Sequence, residues 1–426
     1  MADCIIPEGY KETTLGIIPK EWEVKQLKSI VTPIKTFSFS RDKLSDSTQK
    51  LIYIHYGDIH KSGDKYNVHI GTDRLPYLID GIISDDVMNE SSFPNLQNGD
   101  ILLPDASEDY DGVGHAWELL NVDQQKIIGG LHTIAMRPNP KFILLGYGSL
   151  MFYSWPVSKA LKRIAQGTKV FSMSFNLIEK VKVILPTLKE QQKISEILNI
   201  WDKAIEKQTQ LIDKLELRKK VLMQQLLTGK KRLPGYSGEW KKVKLGTLFI
   251  ERNEINRADL VLLSITADRG IIFQSESDKR DISNDDKSKY KRICPNDIGY
   301  NTMRMWQGRC ALSPLEGIVS PAYTIITPNK DVNPHYMEML FKQPFTMHCF
   351  WTHSQGLVND TLNCKFHDFC QIKVTIPNYK EQNAISYFFK EMNREIEIYR
   401  LRLKLLLQQK KGLMQILLTG KKRIIK

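Results

Sequence analysis

The chain has 426 residues, 42% hydrophobic and 26% charged, with a formal net charge of +13. This describes a soluble globular protein of roughly two to three domains. The opening MADCIIPEGYKETTLGIIPKEW has no basic flank followed by a long apolar run, which argues against a signal peptide and a membrane span. Six cysteines without a CxxC pair suit free thiols in a reducing, cytoplasmic compartment.

In chain order, residues 1–185 read as a first globular α/β domain. Strand-like runs fall at Leu51–Tyr56, Ile101–Leu103, Thr133–Met136 and Val181–Leu185, β-branched stretches bounded by turn residues. Residues 186–232 read as a long helix. Thr187 and Glu190 follow Pro186 in the spacing of an N-cap and capping box. Apolar positions then step by four and three: Ile194, Leu198, Trp201, Ile205, Ile212, Leu215, Leu222 and Leu226, with Gln208 and Lys219 at the two polar steps. That 3.5-residue period is a coiled-coil seam. Gly229 stops the helix. At about 1.5 Å per residue the helix would run about 57 Å, too long a seam to stay wet without a partner.

Residues 233–376 read as a second α/β domain, with strands at Leu260–Thr266, Ile298–Tyr300, Ala322–Thr327 and Ile372–Ile376. The turn Pro295-Asn296-Asp297 matches Asn98-Gly99-Asp100 of the first domain. Residues 377–426 form a second long helix and a basic tail. Asn378 and Glu381 repeat the capping pattern; the seam is Ile385, Phe389, Met392, Ile396, Tyr399, Leu403, Leu406, Leu413 and Leu417, with Lys410 at the step of Lys219, and Gly420 ends it.

The two helices are copies. KKVLMQQLLTGKKR at 219–232 and KKGLMQILLTGKKR at 410–423 agree at 12 of 14 positions, offset by 191. Glu21-Trp22 with Leu27 and Glu239-Trp240 with Leu245 echo each other where the domains begin. One unit has been used twice, with similar ends and divergent middles. The fold class is therefore mixed α/β: two globular domains separated by two long antiparallel coiled-coil helices, in a pseudo-two-fold internal repeat. The helices are expected to pack on each other rather than each on its own domain. The charge follows the same division: 186–235 carries +5 and 377–426 carries +8, against −2 and +2 in the middles. The basic excess therefore does not by itself make the globular parts DNA binders. It suits phosphate or acidic partner surfaces equally.

No catalytic signature appears. Gly229-Lys230-Lys231 lacks the other residues of a phosphate loop. Asn139-Pro140 and Asn333-Pro334 lack the second proline and the aromatic of an amino-methyltransferase motif. The His348, Cys349, His353, Cys364, His367 and Cys370 cluster fits no common zinc module, so no metal is expected. For base reading, the candidates are loops of long polar side chains: Asn301, Arg304, Gln307, Arg309, His353, Ser354 and Gln355 in the second domain, and His60, Lys61, Lys65, Gln166, Thr168 and Lys169 in the first. Arginine on guanine, and Gln or Asn on adenine, give paired major-groove hydrogen bonds. Trp306 between them either stacks on or wedges between bases or is buried in the core, the commoner fate of a tryptophan. Lys219 and Lys410 either reach from the seam to solvent or mark where partner subunits touch the helices.

GYKETTLGIIPKEWEVKQL, LLTGKKRLPGYSGEWKKVKLG, ILPTLKEQQKISEIL and TIPNYKEQNAISYF together resemble the specificity subunit of a type I restriction–modification system, over the whole chain. The resemblance implies a non-catalytic subunit whose two target-recognition domains read the halves of a bipartite double-stranded DNA site. It also implies docking of two methyltransferase subunits on the helices and recruitment of restriction/translocase subunits. No cofactor is expected on this chain; S-adenosylmethionine and ATP belong to the partners. The alternatives from the residues alone are a coiled-coil adaptor that reads no DNA, and an enzyme with an unrecognised motif.

Overall fold

The computed structural model describes residues 6–62, 65–266, 269–277, 285–356, 358 and 361–424. They form two compact units, 1–208 with 402–426, and 209–401. The four consecutive segments of the sequence thus fold into two bodies, each holding one globular domain and half of both long helices. Those helices are Leu188–Leu226 and Tyr379–Leu418.

In the first unit a five-stranded sheet runs in the spatial order Val31–Ile34, Thr133–Pro138, Ile101–Pro104, Trp117–Leu120, Asn67–His69. Every residue of Ile101–Pro104 is buried because both faces of the sheet are covered. Ile101, Leu103, Ile134 and Met136 point into one core and Leu102, Leu119 and Ala135 into another, as the two-residue period of a strand requires. The second unit has a sheet of the same order: Phe249–Glu251, Tyr323–Pro328, Ile298–Asn301, Cys310–Leu312. Ile298, Tyr300 and Ile326 face one core, Ala311 and Ile325 the other.

The matched turns are one device. Asp100 and Asp297 are buried carboxylates whose oxygens accept the backbone N–H of Gln97 and of Cys294, each at 2.7 Å. Gly99 and Asn296 supply the positive φ, 86° and 72°. Arg137 grips Asp100 through Nε and Nη2, both at 2.8 Å; in the second unit Arg252 reaches Asp297 from the neighbouring strand edge at 2.7 Å, and Thr327 joins it. The strand expected to run to Tyr56 stops at Ile54, because His55 and Asp58 form a capping box that starts the helix Tyr56–Lys61. Leu260–Thr266 shortens to Leu263–Ile265. The longer first domain carries a second, four-stranded sheet.

In each domain the strand that follows the tryptophan pairs with the last strand, Glu23–Gln26 with Lys182–Leu185 and Lys241–Lys244 with Lys373–Ile376. This sets the tryptophan of the domain start beside the helix that follows the domain. In the first unit Trp22 Nε1 donates to Glu190 at 2.7 Å, Arg423 Nε donates to the same carboxylate at 2.6 Å, and Tyr10 Oη donates to the Gly420 carbonyl. In the second unit Arg232 grips Glu381 with Nε and Nη2, both at 2.5 Å, and lies over the Trp240 ring. The start of one helix is thus clamped to the end of the other, and within each unit the two helical segments run antiparallel.

These clamps correct the capping-box reading. Thr187 and Asn378 do cap, accepting the backbone N–H of Glu190 and Glu381. The two glutamates do not turn back to the cap backbone. They are buried acceptors for an arginine 149 or more residues away in sequence. Gln191 and Gln382, the next residues, are buried too: each donates to the carbonyl of the proline before its helix, Pro186 or Pro377. Replacing Arg423 by Met leaves Glu190 buried without its cation. It should cost the first unit about 2 kcal/mol, read as a lower urea midpoint, while Lys422→Met, which loses no such partner, should not.

All 17 apolar or aromatic seam positions are buried or half-buried, but the seam is no free-standing zipper. Ile194, Leu198, Leu413 and Leu417 merge with the first unit's main core, and Leu222, Leu226, Ile385, Phe389 and Met392 with the second's. Each helix start does pack on its own domain, together with the end of the other helix. Lys410 corrects the solvent-reaching expectation: it is 4% exposed, paired with Asp202 at 2.5 Å and lies over the Tyr66 ring.

Candidate nucleic-acid interface

In the second unit the candidates gather at one end of the central sheet. Asn301 ends a strand, and Arg304, Gln307 and Arg309 project from the short turn beyond it. His353 closes the helix Pro344–His353; Ser354 caps it, its hydroxyl donating to the Phe350 carbonyl. Gln355 then opens a hairpin, bridged to Asn363 by backbone hydrogen bonds of 3.0 and 2.8 Å. The next residue, Cys364, donates its N–H to Thr302 at 2.9 Å, which ties the hairpin to the arginine turn. Trp306 is half-buried rather than in the core: its ring packs on that core and its Nε1 donates to the Met303 carbonyl. This anchors the turn. Arg304 and Arg309 are exposed and make no ion pair among the described residues. Arg232, Arg252, Arg292 and Arg400, by contrast, are all held by carboxylates.

The first unit repeats this hairpin. Gln166 and Ser172 exchange backbone hydrogen bonds of 2.9 and 2.7 Å after the helix Trp155–Ile164, with Thr168 and Lys169 exposed at the tip. Both hairpins need glycine. Gly167 and Gly356 sit at φ 124° and 149°, and a Cβ would come within 1.9 Å of the Val170 carbonyl and 2.6 Å of the Thr361 carbonyl. The strand Ala106–Ser107 pairs with Phe171–Ser172, and His60 bonds the Ala106 carbonyl at 2.9 Å. His60 and the hairpin therefore share one surface. Lys61 is exposed near it. Lys65 pairs with Asp73.

Sequence reasoning missed residues 105–116. They leave the strand Ile101–Pro104 just as the arginine turn leaves Ile298–Asn301, and they are acidic where that turn is basic: Asp105, Glu108, Asp109 and Asp111. Asp105 meets His132 at 3.0 Å, Asp111 meets Lys162 at 3.0 Å, and Tyr110 stacks edge-on against Phe171 of the hairpin. Counting forward from the matched Asp100 and Asp297 turns would have found this loop.

The zinc-like residues do not converge. Cys364 is fully buried and the His367 side chain is 85% exposed; no group of three potential ligands gathers among the described residues. No helix among them is long and apolar enough to cross a membrane.

A family model described as "type I restriction modification DNA specificity domain" matches residues 19–217. The putative type I restriction enzyme MjaX specificity subunit of Methanocaldococcus jannaschii is 23% identical, over 98% of this chain and 97% of its own length. The MjaVIII specificity subunit of the same organism is 24% identical over 53% of this chain and 50% of its own. Among solved structures, the HsdS subunit from Thermoanaerobacter tengcongensis shares the fold with a TM-score of 0.51 at 14% identity, covering 95% of this chain and 98% of that one. A chain from a structure of the assembly and conformational transition of a type I system reaches 0.59 at 14% identity, covering 95% and 99%. Residues 19–217 thus match the type I restriction–modification DNA specificity domain, and the chain is similar to a specificity subunit over nearly its whole length.

Proposed function

We propose that this non-catalytic specificity subunit reads a bipartite double-stranded DNA site, one unit to each half, with the helical segments as the spacer. The observation that supports it most is the pairing of like frames with unlike tips. Both units present a Gln-Gly hairpin beside a loop from the central sheet, and that loop is basic in one and acidic in the other. Arginine reads guanine, whereas carboxylates accept from the amino group of cytosine, so the two units read different sequences. Docking of two methyltransferase subunits is supported by apolar side chains left exposed on the helices, among them Ile200, Leu217, Tyr387, Ile398 and Leu401. Restriction/translocase subunits complete the assembly; S-adenosylmethionine and ATP bind to the partners.

The test is to co-express the chain with methyltransferase subunits and map methylated adenines by modification-sensitive sequencing. A split motif with a fixed gap is expected, and exchanging residues 1–185 for another family member's should change one half of it. A chain that only bridges proteins would give no motif. Arg304→Ala should relax one position of the half-site read by the second unit and weaken binding there about 10- to 100-fold. Unchanged preference and affinity would remove Arg304 from the reading surface.

A further inference from the structure

The repeat places the same residues in the two units, and one place is filled in the first unit and open in the second. In the first unit Lys410 is neutralised by Asp202, whose second oxygen takes the Tyr66 hydroxyl. Beside it, the first N–H of the helix Trp155–Ile164 is capped at 2.7 Å by Gln415, whose amide donates to the Tyr153 carbonyl.

In the second unit Lys219 stands at the position of Lys410, but Asn393 stands at the position of Asp202, both at the repeat offset of 191. The carboxylate is gone. A half-open cavity of about 540 Å³ takes its place, lined by Lys219, Lys220, Asn393, Arg400 and the start of the helix Pro344–His353. The two carboxylates in its wall, Glu216 and Glu397, are both taken by Arg400, at 2.5 and 2.6 Å. Lys342 is turned to Glu338. Lys219 and Lys220 make no ion pair among the described residues. The helix that begins at the wall has no acidic residue in its first turn and no side-chain cap, so its positive end is uncompensated. Burial first, and then the Arg400 charge, hold the Lys219 ammonium below the usual lysine range, against the opposing charges of Glu216 and Glu397. An anion in the cavity would reverse that.

We propose that this cavity of the second unit binds a small oxyanion, a phosphoryl or carboxylate group, which supplies to Lys219 the charge that Asp202 supplies to Lys410. The volume suits a small ligand, and two free ammonium groups suit a doubly charged one. The proposal needs no DNA and stands apart from the reading of the half-sites.

Thermal unfolding of the full chain at constant ionic strength tests it, with inorganic phosphate, acetate or chloride as the anion. Phosphate or acetate should raise the melting temperature of the second unit saturably over chloride. A response to phosphate alone assigns a phosphoryl ligand; an equal response to acetate assigns a carboxylate. Asn393→Asp, an exposed position, puts the missing carboxylate back and should abolish the shift, as should Lys219→Met. No saturable shift with either anion, or a shift that survives in either variant, overturns the proposal.

Discussion

Deleting residues 402–426 should unfold the first unit and spare the second. Met414, Leu417 and Leu418 lie in the core of the first unit, next to Ile194 and Leu198, and each is less than a tenth exposed. Fully burying one such side chain stabilises by about 1.5–3 kcal/mol, so the three contribute roughly 5–9 kcal/mol. That is comparable to the whole stability of a typical domain, about 5–15 kcal/mol. The deletion also removes Arg423 from Glu190 and exposes Trp22, which packs against Gly420. None of these residues belongs to the second unit. Calorimetry should therefore lose one transition and keep the other, and limited proteolysis should digest 6–185 while sparing 236–376. A first-unit transition at its original temperature would show that the tail is dispensable, and with it the cyclic closure of helix end on helix start.

Raising the pH from 4 to 8 should weaken the first unit through Glu118 by about 3 kcal/mol. This carboxyl is 1% exposed, and burial pushes its pKa up to about 7 against the lowering effect of backbone N–H donors at Gly146, Ser149 and Gly148. Its folded value lies above its unfolded one, so the folded state holds the proton more tightly. The stabilisation is complete below about pH 4 and is lost as the pH rises through 7. Glu118→Gln keeps the shape and cannot ionise, so its unfolding free energy should lack that decline. The quantity to measure is the difference between the two proteins across the pH range, since other carboxylates titrate in both. Parallel curves would mean that Glu118 is already ionised in the fold.

The linear pattern carried most of the frame. The seam residues from Ile194 to Leu226 and from Ile385 to Leu417 were legible because a helix repeats every 3.6 residues, so burial leaves a periodic mark. Central strands such as Ile101–Pro104 and Ile298–Asn301 were legible for the corresponding reason in sheets. The turns at Asp100 and Asp297 could be matched because the same side-chain and backbone demands recur in both copies.

The candidate surface was less legible. Gln166 and Gln355 open matching hairpins, whereas Lys65 pairs with Asp73, and the acidic 105–116 loop was passed over. Loop side chains follow no period, and only the shared sheet shows which loops leave from equivalent strands. The same holds for function at the clamps. Thr-x-x-Glu reads locally as a capping box, and only a distant arginine, brought close by folding, turns Glu190 and Glu381 into buried acceptors.

By itself, the sequence settled that one unit is used twice, that long amphipathic helices join the copies, and which family the motifs resemble, because periodicity and repetition are properties of the chain read along its length. Tertiary structure alone decided that each body is completed by the end of the other copy's helix, that Lys410 has a carboxylate ion pair while Lys219, among the described residues, has none, and which loops stand together at the tip of each sheet. Those are matters of which distant groups share a low-dielectric interior, where a charge must find a partner or shift its proton, and separation along the chain does not encode them.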